Sequence, residues 1–204
     1  MSNEQSVDKD RRNAMVATSV VGGIGALCTA WPFVNTFAPS EKAKAAGAPV
    51  EVDISGLKEG ERMIVEWRGK PVWLLKRSPE MMASLAKTEG ELADPDSLRK
   101  QSELTPEYCR NKFRAREDHK DLFVAVGICT HLGCSPSGPF PAGTQAVLKE
   151  EWGFVCPCHG STFDLAGRVW KAKPAPDNLE IPPYKYLSET KLVIGDDSSD
   201  KKGA

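Results

Sequence analysis

Two short segments carry most of the chain's metal-ligand chemistry. Cys129-Thr130-His131-Leu132-Gly133-Cys134 supplies a Cys-x-His-x-x-Cys pattern. Cys156-Pro157-Cys158-His159-Gly160-Ser161 supplies Cys-x-Cys-His, with residues 135–155 between the two boxes. Four cysteines and two histidines suffice for one four-ligand metal site plus a spare cysteine pair. Thiolates suit iron and sulfide, while imidazoles lower the negative charge of a cluster and can exchange a proton. One candidate is a [2Fe–2S] centre in which two histidines replace two cysteines on one iron, raising its reduction potential. The other is tetrahedral zinc held by two cysteines and two histidines. Zinc leaves Cys134 and Cys158 unexplained, and the spacing is not that of a zinc finger, so the cluster is the stronger reading.

The boxes need rigid supports, and the flanking sequence supplies strands. Leu122 to Ile128 reads as a buried strand leading into the first box, and Gly153-Phe154-Val155 leads into the second. Each box is then a loop at a strand end. Glu51 to Ile54 alternates, and Met63–Trp67 and Pro71–Leu75 flank a hairpin turn at Arg68-Gly69-Lys70. Residues 78–117 interrupt this pattern as an insertion. Ser78-Pro79-Glu80 is a helix start, and Met81 to Lys87 is helix-compatible. Further short strands are expected at 162–164, 168–170, 179–181 and 191–194. The polar tail, 196–204, is expected to fray.

At 204 residues, with 15 prolines and 17 glycines, the chain fits one strand-and-loop domain plus an appendage. A net charge of −1 and the lack of a basic patch argue against nucleic acid as a partner. The appendage is N-terminal. Residues 13–40 contain no charged side chain, and a bilayer core needs roughly 20 apolar residues in a helix. Residues 1–37 therefore read as a cytoplasmic stub and one transmembrane helix, expected to end or kink at Pro32. Arg11-Arg12 directly before it resembles a twin-arginine export signal, although Asn13-Ala14-Met15 lacks the usual bulky apolar residue. The flanking positive charges put the N-terminus inside and the main domain outside. Ala46-Gly47-Ala48 resembles a signal-peptidase site, but the apolar stretch is longer than a cleaved signal, so an uncleaved anchor is expected. Residues 38–49, small and charged without an apolar period, read as a flexible linker.

With these residues in view, the chain resembles the Rieske iron–sulfur subunits of bacterial quinol–cytochrome c oxidoreductases, the respiratory bc complexes. Both boxes, the anchor, the linker and residues 167–186 carry the resemblance. It implies a mainly β fold: a Rieske-type antiparallel β-sandwich at 50–195, with a small cluster-binding subdomain at 129–165, after one N-terminal transmembrane helix. It implies one Rieske [2Fe–2S] cluster, with Cys129 and Cys156 on the inner iron and His131 and His159 on the outer. Cys134 and Cys158 would form a disulfide between the loops, as an oxidising compartment permits. Gly133 and Gly160 belong to the same cluster loops. Ser161 matches a position whose hydroxyl donates toward cluster sulfur. Two residues on, high-potential members usually carry a tyrosine, and Phe163 has no donor, which implies a lower potential. Pro174, within Lys173-Pro174-Ala175-Pro176, matches the proline loop over the cluster, although Lys173 stands where glycine is usual. Leu132 matches an exposed apolar residue that docks on cytochrome b.

The resemblance also implies the reaction. Quinol at the interface with cytochrome b would give one electron and a proton, His159 and His131 being the reactive imidazoles. The head would then move on its linker, now a hinge, to a c-type cytochrome, in a dimeric complex embedded in membrane lipid. The chain would lie in the bacterial inner membrane with the cluster domain in the periplasm. An arsenite-oxidase-type small subunit is a competing reading, which residues 167–186 and the long anchor disfavour. A soluble oxygenase ferredoxin is disfavoured by the anchor and the extra cysteines. Cys28 reads as a small hydrophobe in the anchor, Cys109 has no candidate disulfide partner, and His119 reads as an ordinary surface histidine.

Overall fold

A computed structural model describes residues 8–99 and 104–198. Residues 1–7 of the stub, 100–103 of the insertion and 199–204 of the tail lie outside the described residues. The chain divides into two compact units, residues 1–45 and 46–204.

The first unit is dominated by α1 (Lys9–Asn35). Asp8 caps it, its carboxylate accepting from the amides of Asp10 at 3.0 Å and Arg11 at 3.2 Å. Thr18 and Thr29 turn their hydroxyls back onto the carbonyls of Ala14 and Gly25, at 2.7 and 2.8 Å. These bonds leave neither hydroxyl unpaired against an apolar surrounding. The helix, 27 residues, is long and apolar enough to cross a bilayer. It does not end at Pro32 but runs on to Asn35. Pro32 stands in the last turn, where the missing N–H removes one bond near the terminus rather than one in the middle of the span. The linker also differs from expectation, because α2 (Glu41–Ala46) forms within it. Ser40 Oγ accepts the Ala43 amide at 3.2 Å, and Lys44 pairs with Glu41 at 2.7 Å.

Among the described residues, the second unit contains three antiparallel sheets of three strands each. The first pairs β1 (Val50–Asp53) and β8 (Tyr184–Ser188) on either side of β9 (Lys191–Ile194). The second orders β2 (Arg62–Trp67), β3 (Lys70–Lys76) and β4 (Leu122–Val126). The β2–β3 hairpin turns through Arg68-Gly69, both with positive φ, as a right-twisted hairpin requires. The third orders β5 (Ser137–Phe140), β6 (Gly153–Val155) and β7 (Thr162–Phe163). The first box lies in the loop joining β4 to β5 and the second in the loop joining β6 to β7. Phe123, Phe154, Phe163 and Leu165 belong to one buried core with Trp73, which packs on Phe154 at 5.0 Å between ring centroids. Each such side chain contributes about 1.5–3 kcal/mol by leaving water, so the strands beneath both loops are held in one apolar body.

Two expected strands are absent. Val169 and Trp170 make only isolated bridges, to Phe163 and Leu92. Residues 179–181 bond to three separate partners: the Leu179 amide to Gly167 O, the Val126 amide to Glu180 O and the Ile181 amide to Leu104 O, each at 2.8 Å. Hydrophobic alternation there serves burial without a ladder. The start of the tail is pinned rather than frayed, Asp196 pairing with Lys185 at 2.7 Å.

The insertion is bound into the fold through charge. Its helix α3 (Pro79–Lys87) is capped by Ser78, whose Oγ accepts the Met81 amide. Arg114 is fully buried and donates to the carbonyls of Ala166, Gly167 and Leu179 and to Thr105 Oγ1. Arg77, also buried, donates to the carbonyls of Phe113, Leu165 and Lys120. Arg168 pairs with Asp164 at 2.7 Å and reaches Leu85 O at 3.0 Å. Desolvation pushes the Arg77 and Arg114 guanidinium groups down to about 10. The three arginines thus fix residues 164–168, just beyond the second loop. Cys109 is a buried free thiol 3.6 Å from Tyr184 Oη, and burial pushes it up to about 11. His119 is half-buried and stacks on Tyr186 at 3.8 Å.

Candidate metal centre

The two loops have the same backbone pattern. In the first, the Cys129 amide donates to Cys134 O at 2.8 Å and the Gly133 amide to Cys129 O at 3.1 Å. In the second, the Cys156 amide donates to Ser161 O at 2.8 Å and the Gly160 amide to Cys156 O at 3.0 Å. Gly133 and Gly160 occupy the fifth position of their loops with φ of 84° and 71°. Nothing stands within 4 Å of where a Cβ would lie at either glycine, so glycine is required there for conformation and not for space.

This shared frame brings the predicted residues together. Cys134 and Cys158 form the expected disulfide, with Cα atoms 6.6 Å apart. Cys129 and Cys156 are free and buried. His131 and His159 face each other with ring centroids 4.7 Å apart and planes at 88°. His131 is half-buried, His159 exposed, and Leu132 is 71% exposed beside them. Nδ1 of His131 is buried with no hydrogen-bond partner. A buried imidazole nitrogen without a partner is costly unless it ligates a metal. Two buried thiols, two adjacent imidazoles and that orphaned nitrogen fit a four-ligand metal centre.

Burial pushes the Cys129 thiol up, as does the neighbouring Cys156, against a smaller downward pull from the His131 amide and the Ser161 side chain. Ser161 Oγ in turn accepts the Ala175 amide at 2.9 Å. The proline turn at 173–176 is thereby tied to the second loop. Thr130 Oγ1 donates to Asp177 O at 2.6 Å and ties the same segment to the first. Pro174 is exposed on this turn, and Phe163 is fully buried beneath the loops. Thr130 and the His131 amide escaped the sequence reading. Their one signal was position in the first box, and the partner of Thr130 lies 47 residues away.

With the disulfide formed, the remaining two cysteines and two histidines suit zinc or [2Fe–2S] by donor type alone. Comparison with known proteins decides between them. Residues 90–185 match the Rieske [2Fe-2S] domain, and residues 1–40 match the "Ubiquitinol-cytochrome C reductase Fe-S subunit TAT signal". The ubiquinol-cytochrome c reductase iron-sulfur subunit of Allochromatium vinosum is 51% identical over 196 residues, spanning 95% of this chain and 92% of the relative. The subunit of that name from Bradyrhizobium diazoefficiens is 36% identical, spanning 96% of this chain and 100% of the relative. A solved chain described as "Hyperthermophilic respiratory Complex III" is 26% identical, covering 87% of this chain and 98% of that chain at a TM-score of 0.44. The centre is therefore a Rieske [2Fe–2S] site, and the apolar α1 with its twin-arginine signal fits a membrane anchor. The chain belongs to the iron–sulfur subunit family of the ubiquinol–cytochrome c reductases.

Proposed function

We propose that Cys129 and Cys156 hold the inner iron and His131 and His159 the outer iron. Burial supports this division, since both thiols are covered whereas His159 is exposed. The observation that carries it is the orphaned Nδ1 of His131 beside two free thiols. When bound, the cluster supplies one-electron chemistry, at a potential raised by its imidazole ligands. His159, the exposed imidazole, accepts the hydrogen bond of a quinol hydroxyl and holds the proton that leaves with the electron. Leu132 gives the docking face an apolar contact for cytochrome b. The proline turn, tied to both loops through Ser161 and Thr130, limits water at the inner side of the site.

On this reading the chain accepts one electron, with a proton, from ubiquinol at cytochrome b and delivers the electron to a c-type cytochrome. It thereby supports proton translocation by a dimeric bc complex. The relatives' name, with ubiquinol as donor, supports the choice of quinol. α1 spans the inner membrane once, with Arg11-Arg12 on the cytoplasmic side and the head in the periplasm. Residues 38–49 form the hinge. Proline substitutions across 43–47 should slow turnover and leave the cluster spectrum unchanged; unaltered turnover would argue against a moving head. The reading is tested by redox-poised EPR of membranes holding the whole complex. A cluster signal that shifts with a quinol-site inhibitor is expected. A signal indifferent to the inhibitor would remove the quinol assignment, and no signal would remove the cluster.

A further inference from the structure

The turn over the cluster loops is short of hydrogen-bond donors of its own. Pro174 and Pro176 have no N–H, and the amide of Ala175 is committed to Ser161 Oγ at 2.9 Å. One side chain from the insertion reaches this turn across 77 residues of sequence. Arg99 donates through Nη1 to Pro176 O at 2.7 Å and through Nη2 to Ala93 O at 2.8 Å. Ala93 is itself fixed, its amide donating to Val169 O at 2.9 Å. The guanidinium therefore forks between a fixed carbonyl and one on the turn. A planar fork with several donors can bridge two such acceptors, and a single ammonium cannot do so equally.

The consequence reaches the cluster through one rotor. Ser161 Oγ accepts from Ala175, so its own hydrogen is free to donate into the site, and the Ser161 carbonyl holds the Cys156 amide at 2.8 Å in the same loop. Hydrogen bonds to cluster sulfur raise the reduction potential. If the turn loosens, Ala175 leaves and the hydroxyl is free to rotate. Arg99 is exposed, so its loss removes little packing.

We propose that Arg99 is a positioning residue for the cluster: its fork clamps the 173–176 turn and so, through the Ala175 amide, fixes the Ser161 hydroxyl within the site. The inference rests on the ligand assignment proposed above.

The test uses the full chain in its membrane complex. Arg99→Ala, Arg99→Lys, Ser161→Ala and the Arg99→Ala/Ser161→Ala double variant are compared by EPR-monitored redox titration. Hydrogen exchange of the 173–177 peptide is read by mass spectrometry. Arg99→Ala should shift the reduction equilibrium two- to fourfold toward the oxidised form, about 18–36 mV for one electron. Exchange in that peptide should quicken by about tenfold. In the Ser161→Ala background, Arg99→Ala should add no further shift, since coupled residues are not additive. Arg99→Lys keeps the charge and should recover less than half of the shift. An unchanged or raised potential overturns the proposal, as does unaltered exchange, a fully additive double variant, or recovery of half or more by lysine. Lower thermal stability without a potential shift marks a merely structural role and also overturns it. If Ser161→Ala itself leaves the potential unmoved, the assignment of the site fails, and the role of Arg99 fails with it.

Discussion

Set side by side, the first and second cluster loops share a fold and differ in cargo. Cys129 aligns with Cys156 and Gly133 with Gly160, each pair making the same backbone bonds. The third position holds His131 in one loop and Cys158 in the other. The fourth holds Leu132 and His159, and the sixth Cys134 and Ser161. Moving histidine by one position along the same turn changes its surroundings. His131 is half-buried with an orphaned nitrogen, while His159 is exposed. One frame, used twice out of step, thus yields an imidazole held inward and an imidazole left exposed. It also turns the two spare cysteines toward each other and leaves Ser161 as the only sixth-position side chain free to donate toward the ligands.

The largest effect should come where the loops are equivalent. Cys129→Ser and Cys156→Ser should each abolish the EPR signal of the reduced cluster. Survival of the signal in either variant would break the equivalence. Next is the cross-link between the loops. Cys134→Ser or Cys158→Ser opens a disulfide spanning 24 residues, for which loop-closure entropy gives about 3 kcal/mol. Calorimetry of the two variants should show the same loss of stability. Unequal losses would mean that one cysteine has a role outside the bond.

Smaller effects sharpen the difference between the loops. Ser161→Ala should lower the midpoint potential by roughly tenfold in the reduction equilibrium, ~59 mV for one electron. Phe163→Tyr should raise it by restoring a donor, and protein-film voltammetry reporting no rise would remove Phe163 from the account. The matched glycines test the equivalence of the two frames directly. Gly133→Ala and Gly160→Ala each force a side chain into the left-handed region, at about 1–2 kcal/mol. Denaturant titration should find the two costs within error of each other, because neither site has a steric neighbour.

Much of this was legible in residue types. Ligand boxes announce themselves by spacing, and the strands leading into them by apolar runs such as Leu122–Val126, all five of whose residues are buried. The disulfide came from the family resemblance. The twinning of the loops was also readable, had the two boxes been aligned on their first cysteine and their glycine. Other features were hidden for physical reasons. β5 contains Gly138 and Pro139 and has little strand propensity; pairing with β6 forms it. Val169 and Leu179 have the composition of strands, but their amides find partners singly. Nothing in the local sequence marks Arg77, Arg114 and Arg168 as buried. Carbonyls up to 88 residues away bury them, and no local pattern encodes such partners. The short helix α2 depends on the Ser40 cap and a single ion pair, which the composition of a linker obscures.

The crowding of sulfur at the tip of the head has a consequence in time. The sulfurs of Cys134, Cys156 and Cys158 lie within 4.8 Å of one another. Before any bond forms, three sulfurs so close offer three ways to join two of them, and only one gives the native pair. A free thiolate beside a disulfide also attacks it. Iron settles the competition if it arrives first, because a coordinated Cys156 no longer acts as a nucleophile. On the proposed topology an order of events follows: the cluster is loaded where thiols stay reduced, the chain folds around it, and the cross-link closes on the far side of the membrane. A twin-arginine route, which carries folded cargo, is the kind of export that keeps this calendar.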